Sequence, residues 1–184
     1  MNSALFINTI RFIALVLLQV LVCNQLNFMG SLNPYVYVLF MLLYPIGSNR
    51  MGFIFLAFSL GLILDLFLDS GGAHAAAAVS MAYVRPVFLK FSFGAAYEYQ
   101  AIKLNAAEAL PRLTYFALLI LIHHFILFTL VYFDSSKFKI IIYNTLINGG
   151  FTLLLVWLLN ALFSSKKSWA VSYTHLTLPT TPYV

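Results

Sequence analysis

Apolar stretches separated by short polar breaks follow one another along almost the whole of this 184-residue chain. Six of them approach the roughly 20 residues that an α-helix needs to cross about 30 Å of hydrocarbon. The second is the shortest and starts at Asn33-Pro34, where a proline suits the first turn of a helix. The pattern predicts an all-α polytopic membrane protein, a single six-transmembrane-helix bundle over residues 1–169. The predicted helices cover residues 6–26, 33–48, 51–69, 72–90, 113–133 and 140–163.

The composition argues against a water-soluble protein. Hydrophobic residues make up 62% and charged residues 8% of the chain, whereas a soluble domain has roughly 45–50% and 25%. Cys23 is the single cysteine, which excludes an internal disulfide and a cysteine-based metal cluster.

The positive charges predict an orientation. With a cytoplasmic amino terminus, eight of the ten Lys and Arg residues fall on the inner side, and only Lys137 and Lys139 lie outside. Both termini are then expected in the cytoplasm. The net charge of +5 is therefore explained by topology and by attraction to membrane lipids, and no nucleic acid partner is needed.

Three segments outside this pattern need their own interpretation. The first apolar segment is predicted to be a retained helix, because no small-x-small cleavage site follows it. The connection from Phe91 to Arg112 is either a cytoplasmic contact surface, in the form of a loop or of an interfacial helix, or an ordered loop without a partner. Residues 170–184 have the composition of translated adapter sequence, so we predict a non-native tail there and give His175 no role.

Ionisable residues within apolar helices mark candidate sites, because a charge at a helix centre costs about 2.5–3.5 kcal/mol on insertion scales. Gly61, Asp65 and Asp69 recur every four residues and share one helix face. The glycine would let a neighbouring helix approach, and the Asp65 carboxylate would accept a hydrogen bond from it. Asp65 therefore has either an assembly role or a helix-capping role, and Asp69 either joins it or initiates the following turn.

Further polar residues lie on the later helices. Gly72 and the alanines around His74 predict tight packing, with a hydrogen bond from the His74 ring to Asp65 or Asp69. Adjacent helix residues differ by about 100° in direction, so at most one of two neighbouring histidines is expected to face the bundle interior. Interhelical hydrogen bonding and a ligand site are both open for the following residues: Gln19, His123, His124, Asn144 and Asn148. Arg85-Pro86 comes at the inner end of the fourth helix, where proline tends to kink or end a helix. The candidate residues for a partner-binding surface or polar pocket are Gly61, Asp65, Asp69, Gly72, His74, Arg85, His123, His124, Asn144 and Asn148.

Known catalytic motifs are missing from the sequence. It contains no H-E-x-x-H, no G-x-S-x-G and no phosphate-binding loop, and its two closest aspartates share one helix face instead of converging from two helices. We therefore predict a protein that is not an enzyme, with no cofactor, metal or catalytic residue.

An ordered set of short motifs resembles the MreD family of rod shape-determining proteins, in the form found in Bacteroidetes-like bacteria. With the hydropathy pattern, the resemblance extends from about residue 4 to residue 165. The motifs are Asn33 to Phe40, Gly61 to Phe67, Gly72 with His74 and Ala75, Arg85-Pro86, and Leu121 to Phe125.

The resemblance implies a non-enzymatic subunit of the bacterial cell-elongation (rod) complex in the cytoplasmic membrane. Its helices would be arranged as in the substrate-binding subunits of energy-coupling-factor transporters. Its partners would be MreC, MreB, and RodA with its transpeptidase partner. The alternative is a small-molecule-binding subunit of a vitamin-type transporter, in which Asp65, His74, His123 and Asn148 line the cavity.

Overall fold

All regular elements of the described residues are helical. The computed structural model describes residues 2–25, 32–98, 104 and 107–163. Single turns of 3-10 helix lie at Cys23–Gln25 and Ser135–Lys137. This part of the chain confirms the predicted all-α class. The helices are α1 (Asn2–Leu21), α2 (Val38–Leu43), α3 (Arg50–Leu68), α4 (Ala73–Phe93), α5 (Ala95–Glu98), α6 (Ala109–Tyr132) and α7 (Phe138–Phe163).

Four helical stretches within the described ranges are long and apolar enough to cross a membrane. They are Phe6–Gln25, Arg50–Leu68, Ala109–Tyr132 and Ser135–Ala161, and they correspond to the first, third, fifth and sixth predicted helices. The fourth predicted helix, 72–90, forms as the 21-residue α4. His74, Arg85 and Lys90 lower the apolarity of α4, and it does not reach the level of the other four.

The second predicted helix, 33–48, is much shorter in the structure than expected. Only the six residues Val38–Leu43 are helical, a length of about 9 Å that cannot cross a bilayer. Proline explains the carboxyl end of α2 and the non-helical start of the segment before it, because a residue that precedes proline is driven from the helical to the extended region. Asn33 precedes Pro34, and Tyr44, with ψ of 140°, precedes Pro45.

Residues 33–43, which we call the central segment, run through the middle of the bundle. Helices α1, α4 and α6 all contact α2, while α3 packs against α1 and α4, and α7 packs against α6. Irregular backbone at membrane depth is tolerated only where protein covers it, and the long helices provide that cover. Seven consecutive residues of the segment are buried: Val36, Tyr37, Val38, Leu39, Phe40, Met41 and Leu42.

The outward faces of the long helices are apolar. Large hydrophobic side chains project from α1, α3 and α7 at positions that no other part of the described chain covers. Apolar surface of this extent is typical of a protein surrounded by lipid. Examples are Ile10 and Leu17 on α1, Phe55 and Leu66 on α3, and Leu146 and Leu154 on α7.

Gly61 sets the distance between α3 and α4. A Cβ atom at Gly61 would lie 2.5 Å from the Ala75 Cα and 2.6 Å from the His74 carbonyl oxygen. Real Cβ atoms do not approach backbone this closely, so the helices can touch here only because residue 61 has no side chain. The close approach expected from the sequence is therefore made inside the chain, between two consecutive helices.

We expect Gly61→Ala to destabilise the protein by about 1–3 kcal/mol, because the added methyl group must push α4 away from α3. The matched control is Gly150→Ala on α7, where a Cβ atom would meet nothing within 4 Å. Unfolding free energies in detergent should fall for the first variant and stay within about 0.5 kcal/mol for the second. Equal stability of the two variants would contradict the packing described.

Candidate functional site

The extended part of the central segment is held by side chains of α7. The Asn33 amide donates to the Asn148 Oδ1 at 3.0 Å, and the Tyr35 amide donates to the Thr152 Oγ1 at 3.1 Å. Asn148 and Thr152 are four residues apart and therefore share one face of α7. The spacing matches alternate residues of the extended backbone, so two amides that lack helical partners find acceptors on one neighbouring helix.

Gln19 of α1 holds the same segment from another side. Its Oε1 accepts from the Tyr37 amide at 3.4 Å, and its Nε2 donates to the Pro34 carbonyl at 3.0 Å. The Nε2 group also donates to the Asn24 Oδ1 at 2.9 Å. Gln19 is fully buried, and all of these partners lie within the chain. The side chain thus replaces hydrogen bonds that a helix would have made by itself.

Tyr37 joins two helices through its hydroxyl group. The oxygen lies 3.0 Å from the His74 Nδ1 on α4 and 2.6 Å from the His123 Nε2 on α6. A phenol has one proton, so it donates to one imidazole and accepts an N–H from the other. Tyr37 and His123 are completely buried. The central segment therefore links α4 to α6 through one tyrosine.

His124 belongs to a second chain of hydrogen bonds with a fixed direction. Its Nδ1 lies 2.8 Å from the Ile120 carbonyl, which can only accept, so Nδ1 carries the proton. The Nε2 of the neutral ring then accepts from the Thr152 hydroxyl at 3.2 Å. Since Thr152 accepts in turn from the Tyr35 amide, these groups are satisfied as neutral species.

The expectation that at most one of the two histidines faces the interior is wrong. His123 and His124 are both completely buried. The reason is that α6 packs between α4 and α7, so two directions about 100° apart both point into protein. His123 faces the central segment and α4, and His124 faces α7.

Asp65 caps the amino terminus of α4. Its two carboxylate oxygens accept from the His74 amide at 2.9 Å and from the Ala75 amide at 2.8 Å, and the Ser70 hydroxyl donates to it as well. These amides are among the first of α4, which have no partner inside their own helix. The His74 ring bonds to Tyr37 instead of to a carboxylate, because Gly61 brings α3 against the backbone of α4.

Asp69 and Gly72 form the turn that joins α3 to α4. Asp69 is exposed and ends α3 in the left-handed region, with φ of 51°, and its amide donates to the Asp65 carbonyl. Gly72 precedes α4 with φ of 93°, a conformation that glycine adopts without strain. Both residues allow the chain to reverse direction between α3 and α4. Neither belongs to the Tyr37 network, the hydrogen bonds that link residues 33–37 of the central segment to the neighbouring helices.

Arg85 lies outside the Tyr37 network, whereas Asn144 touches it through Asn148, whose Nδ2 donates to the Asn144 carbonyl at 3.1 Å. The Arg85 Nε donates to the Tyr115 hydroxyl at 2.7 Å, nearer the other end of α4. Asn144 donates to the Tyr132 hydroxyl and to the Ile140 carbonyl, both at 3.0 Å, and ties the ends of α6 and α7 together. The structure thus places the predicted polar residues in several separate contacts. Among them, only His74 and His123 are joined through Tyr37.

The sequence reading missed the residues that connect the network. From the sequence, Thr152 has no predicted role, Tyr37 belongs only to the Asn33 to Phe40 motif, and Gln19 is open between interhelical hydrogen bonding and a ligand site. The available signal was Pro34, which removes a backbone donor and disfavours a helical residue before it. An extended segment within a membrane bundle requires polar side chains on its neighbours, and Gln19, Asn148 and Thr152 were the polar groups within reach of it.

The network is built to position backbone and shows no arrangement for metal binding. No group of three or more His, Cys, Asp or Glu side chains in the described ranges could hold a metal ion. The Nδ1 atom of His123 is the one histidine nitrogen there that is buried without a hydrogen-bond partner.

Comparisons with protein-family models, with curated proteins and with solved structures find no match for this chain.

Removing the Tyr37 hydroxyl tests the link between α4 and α6. We expect Tyr37→Phe to lower the unfolding free energy by about 1–3 kcal/mol, because two buried imidazole nitrogens lose their partner. The control is Tyr143→Phe, whose ring is 63% exposed on α7 and which should unfold like the unmodified protein. If both variants unfold alike in detergent, the hydroxyl does not link the helices.

Proposed function

We propose that this chain is a non-enzymatic integral membrane subunit of the bacterial cell-elongation complex. It maintains cell shape by scaffolding peptidoglycan synthesis through MreC. One observation carries the proposal: motifs that underlie the MreD resemblance, although distant in sequence, meet in one buried network. Tyr37, His74 and His123 come from three of these motifs and are joined directly, and Asp65 from a fourth caps the helix at His74.

The architecture favours a scaffold over a catalyst. The turns that join α3 to α4 and α6 to α7 are only a few residues long, so they leave no room for an additional domain at that end of the bundle. Apart from the Nδ1 atom of His123, the buried polar groups described above are used for hydrogen bonds within the chain. A protein of this kind acts through lateral contacts of its helices with partner helices.

Six crossings of the cytoplasmic membrane fit the elements observed. Five are the long helices α1, α3, α4, α6 and α7. The sixth is the central segment, in which about 10 Å of extended chain at residues 33–35, a turn at residues 36–37 and about 9 Å of helix return through the bundle. With the positive-inside arrangement of Lys and Arg, both termini are cytoplasmic.

The contact with MreC lies on the outward faces of the bundle. Gly61 and Asp65, expected from the sequence to form a partner surface, both face α4. A partner helix therefore meets exposed apolar side chains such as Phe55 on α3, Val87 on α4 and Leu154 on α7. MreB and RodA with its transpeptidase partner join through the same complex.

The transporter alternative has less support. It requires Asp65, His74, His123 and Asn148 to line a vitamin-sized cavity. Each of these residues is instead hydrogen-bonded to another part of the chain, so a ligand would have to replace bonds that hold the central segment and α4. The bundle arrangement of energy-coupling-factor binding subunits remains compatible with a scaffold, because a fold does not fix a function.

Site-specific crosslinking in living cells tests the proposal. A photo-crosslinking amino acid is placed at Phe55, Val87 or Leu154, which are 67%, 66% and 55% exposed, and at Leu60 as a buried control. We expect at least one exposed position to crosslink to MreC, because a partner helix packs there, and the Leu60 position to give only background. Mass spectrometry of the purified adducts identifies the partner.

Two outcomes would contradict the proposal. One is recovery of a transport ATPase pair in place of elongation proteins. The other is the absence of MreC both from every adduct and from the protein purified out of native membrane.

A further inference from the structure

A cavity opens at the end of the bundle where α3 begins. Its volume is about 230 Å³, and it lies between the 45–48 connection, the start of α3 and the middle of α4. No carboxylate is among its lining residues, and two of them are arginines. Its principal walls are Arg50, Phe53, Arg85, Pro86, Leu89 and Tyr97.

Arg85 brings a buried positive charge to this cavity. Its side chain is only 5% exposed. Its guanidinium donates to the Tyr115 hydroxyl and to the carbonyls of Leu42 and Tyr44, and it lies 4.9 Å from the centre of the Phe53 ring. All of these partners are neutral. A buried charge is normally matched by an opposite charge, so within the described chain Arg85 lacks its counter-ion.

Arg50 places a second guanidinium at the same depth. From the contact of Gly61 with Ala75, Arg50 lies about 16 Å along α3 and Arg85 about 15 Å along α4 in the same direction. Arg50 is exposed; its guanidinium donates to the Tyr83 carbonyl at 3.4 Å and lies 5.0 Å from the centre of the Tyr83 ring, so these partners are neutral as well. Because Arg50 begins the span Arg50–Leu68, the cavity lies at the boundary between membrane and water.

We infer that this cavity binds a phosphate group, as carried by the headgroup of an anionic phospholipid. Guanidinium groups bind phosphate through paired, charge-assisted hydrogen bonds, and the phosphate supplies the charge that Arg85 lacks. Phe53, Pro86 and Leu89 complete the wall with apolar surface, which suits the glycerol and first acyl carbons of a lipid. Soluble phosphate shares the same charge chemistry. The site does not depend on the proposed role in cell elongation.

Lipid titration of the full-length protein, followed by native mass spectrometry in detergent, tests the inference. The probes are phosphatidylglycerol, phosphatidylcholine and inorganic phosphate alone. We expect phosphatidylglycerol to bind at least about tenfold more tightly than phosphatidylcholine, and Arg50→Gln to remove this preference. Arg50 is chosen because it is exposed and lies outside the core, so its variant should fold.

Arg112→Gln is the matched control. Its guanidinium stacks on Trp157 at the same end of the bundle and lies outside the cavity, so the preference should survive. A preference that persists in Arg50→Gln, or that falls equally in Arg112→Gln, would overturn the inference. Displacement of phosphatidylglycerol by millimolar inorganic phosphate would support a phosphate site filled from solution, and failure to displace it would support a lipid-filled site.

Discussion

A backbone amide placed at membrane depth without an acceptor costs several kcal/mol, and this cost governs the architecture of the bundle. The residues that lead into α2, from Asn33 to Tyr37, do not satisfy their own amides as the interior of a helix does. Their burial is possible because Asn148 and Thr152 accept from two of them and Gln19 accepts from a third. The polar side chains in otherwise apolar helices are thus explained by the needs of a neighbouring backbone. The same segment then presents Tyr37 to both α4 and α6, so that one irregular stretch connects four of the five long helices.

A second constraint acts between α3 and α4, where Gly61 has no side chain and Asp65 supplies a carboxylate. Gly61 allows the backbones to touch, and this contact brings Asp65 within reach of the first free amides of α4. An aspartate at this depth is costly when it is unpaired. Here it accepts three hydrogen bonds inside the chain, from Ser70 and from two amides of α4. The acidic residue that looked most functional in the sequence is therefore a helix cap.

Much of the fold could be predicted from hydropathy, because long apolar runs have few alternatives to helix in a membrane. The limits of α3 and α7 fall within a few residues of those expected, and the approach of a helix at Gly61 follows from its missing Cβ. The short α2 and the inward position of both histidines could not be predicted in the same way. They depend on which helices are neighbours. A helix that packs on two sides, as α6 does, buries side chains on both sides, and the hydrophobic pattern of a single helix does not show this. The position of Arg85 near the inner end of its helix could be predicted from the sequence. Its neutral hydrogen-bond partners depend on the fold.

Amide hydrogen exchange of the central segment, measured in lipid nanodiscs, tests the account most directly. The amides of Asn33, Tyr35 and Tyr37 should exchange as slowly as those of α6, although they lack helical hydrogen bonds. In Thr152→Val the Tyr35 amide loses its acceptor, and its exchange should accelerate by about tenfold for each 1.4 kcal/mol of lost protection, while α6 stays protected. Rapid exchange of the Asn33, Tyr35 and Tyr37 amides in the unmodified protein, or no change in Thr152→Val, would contradict the claim that side chains of neighbouring helices hold this backbone in place.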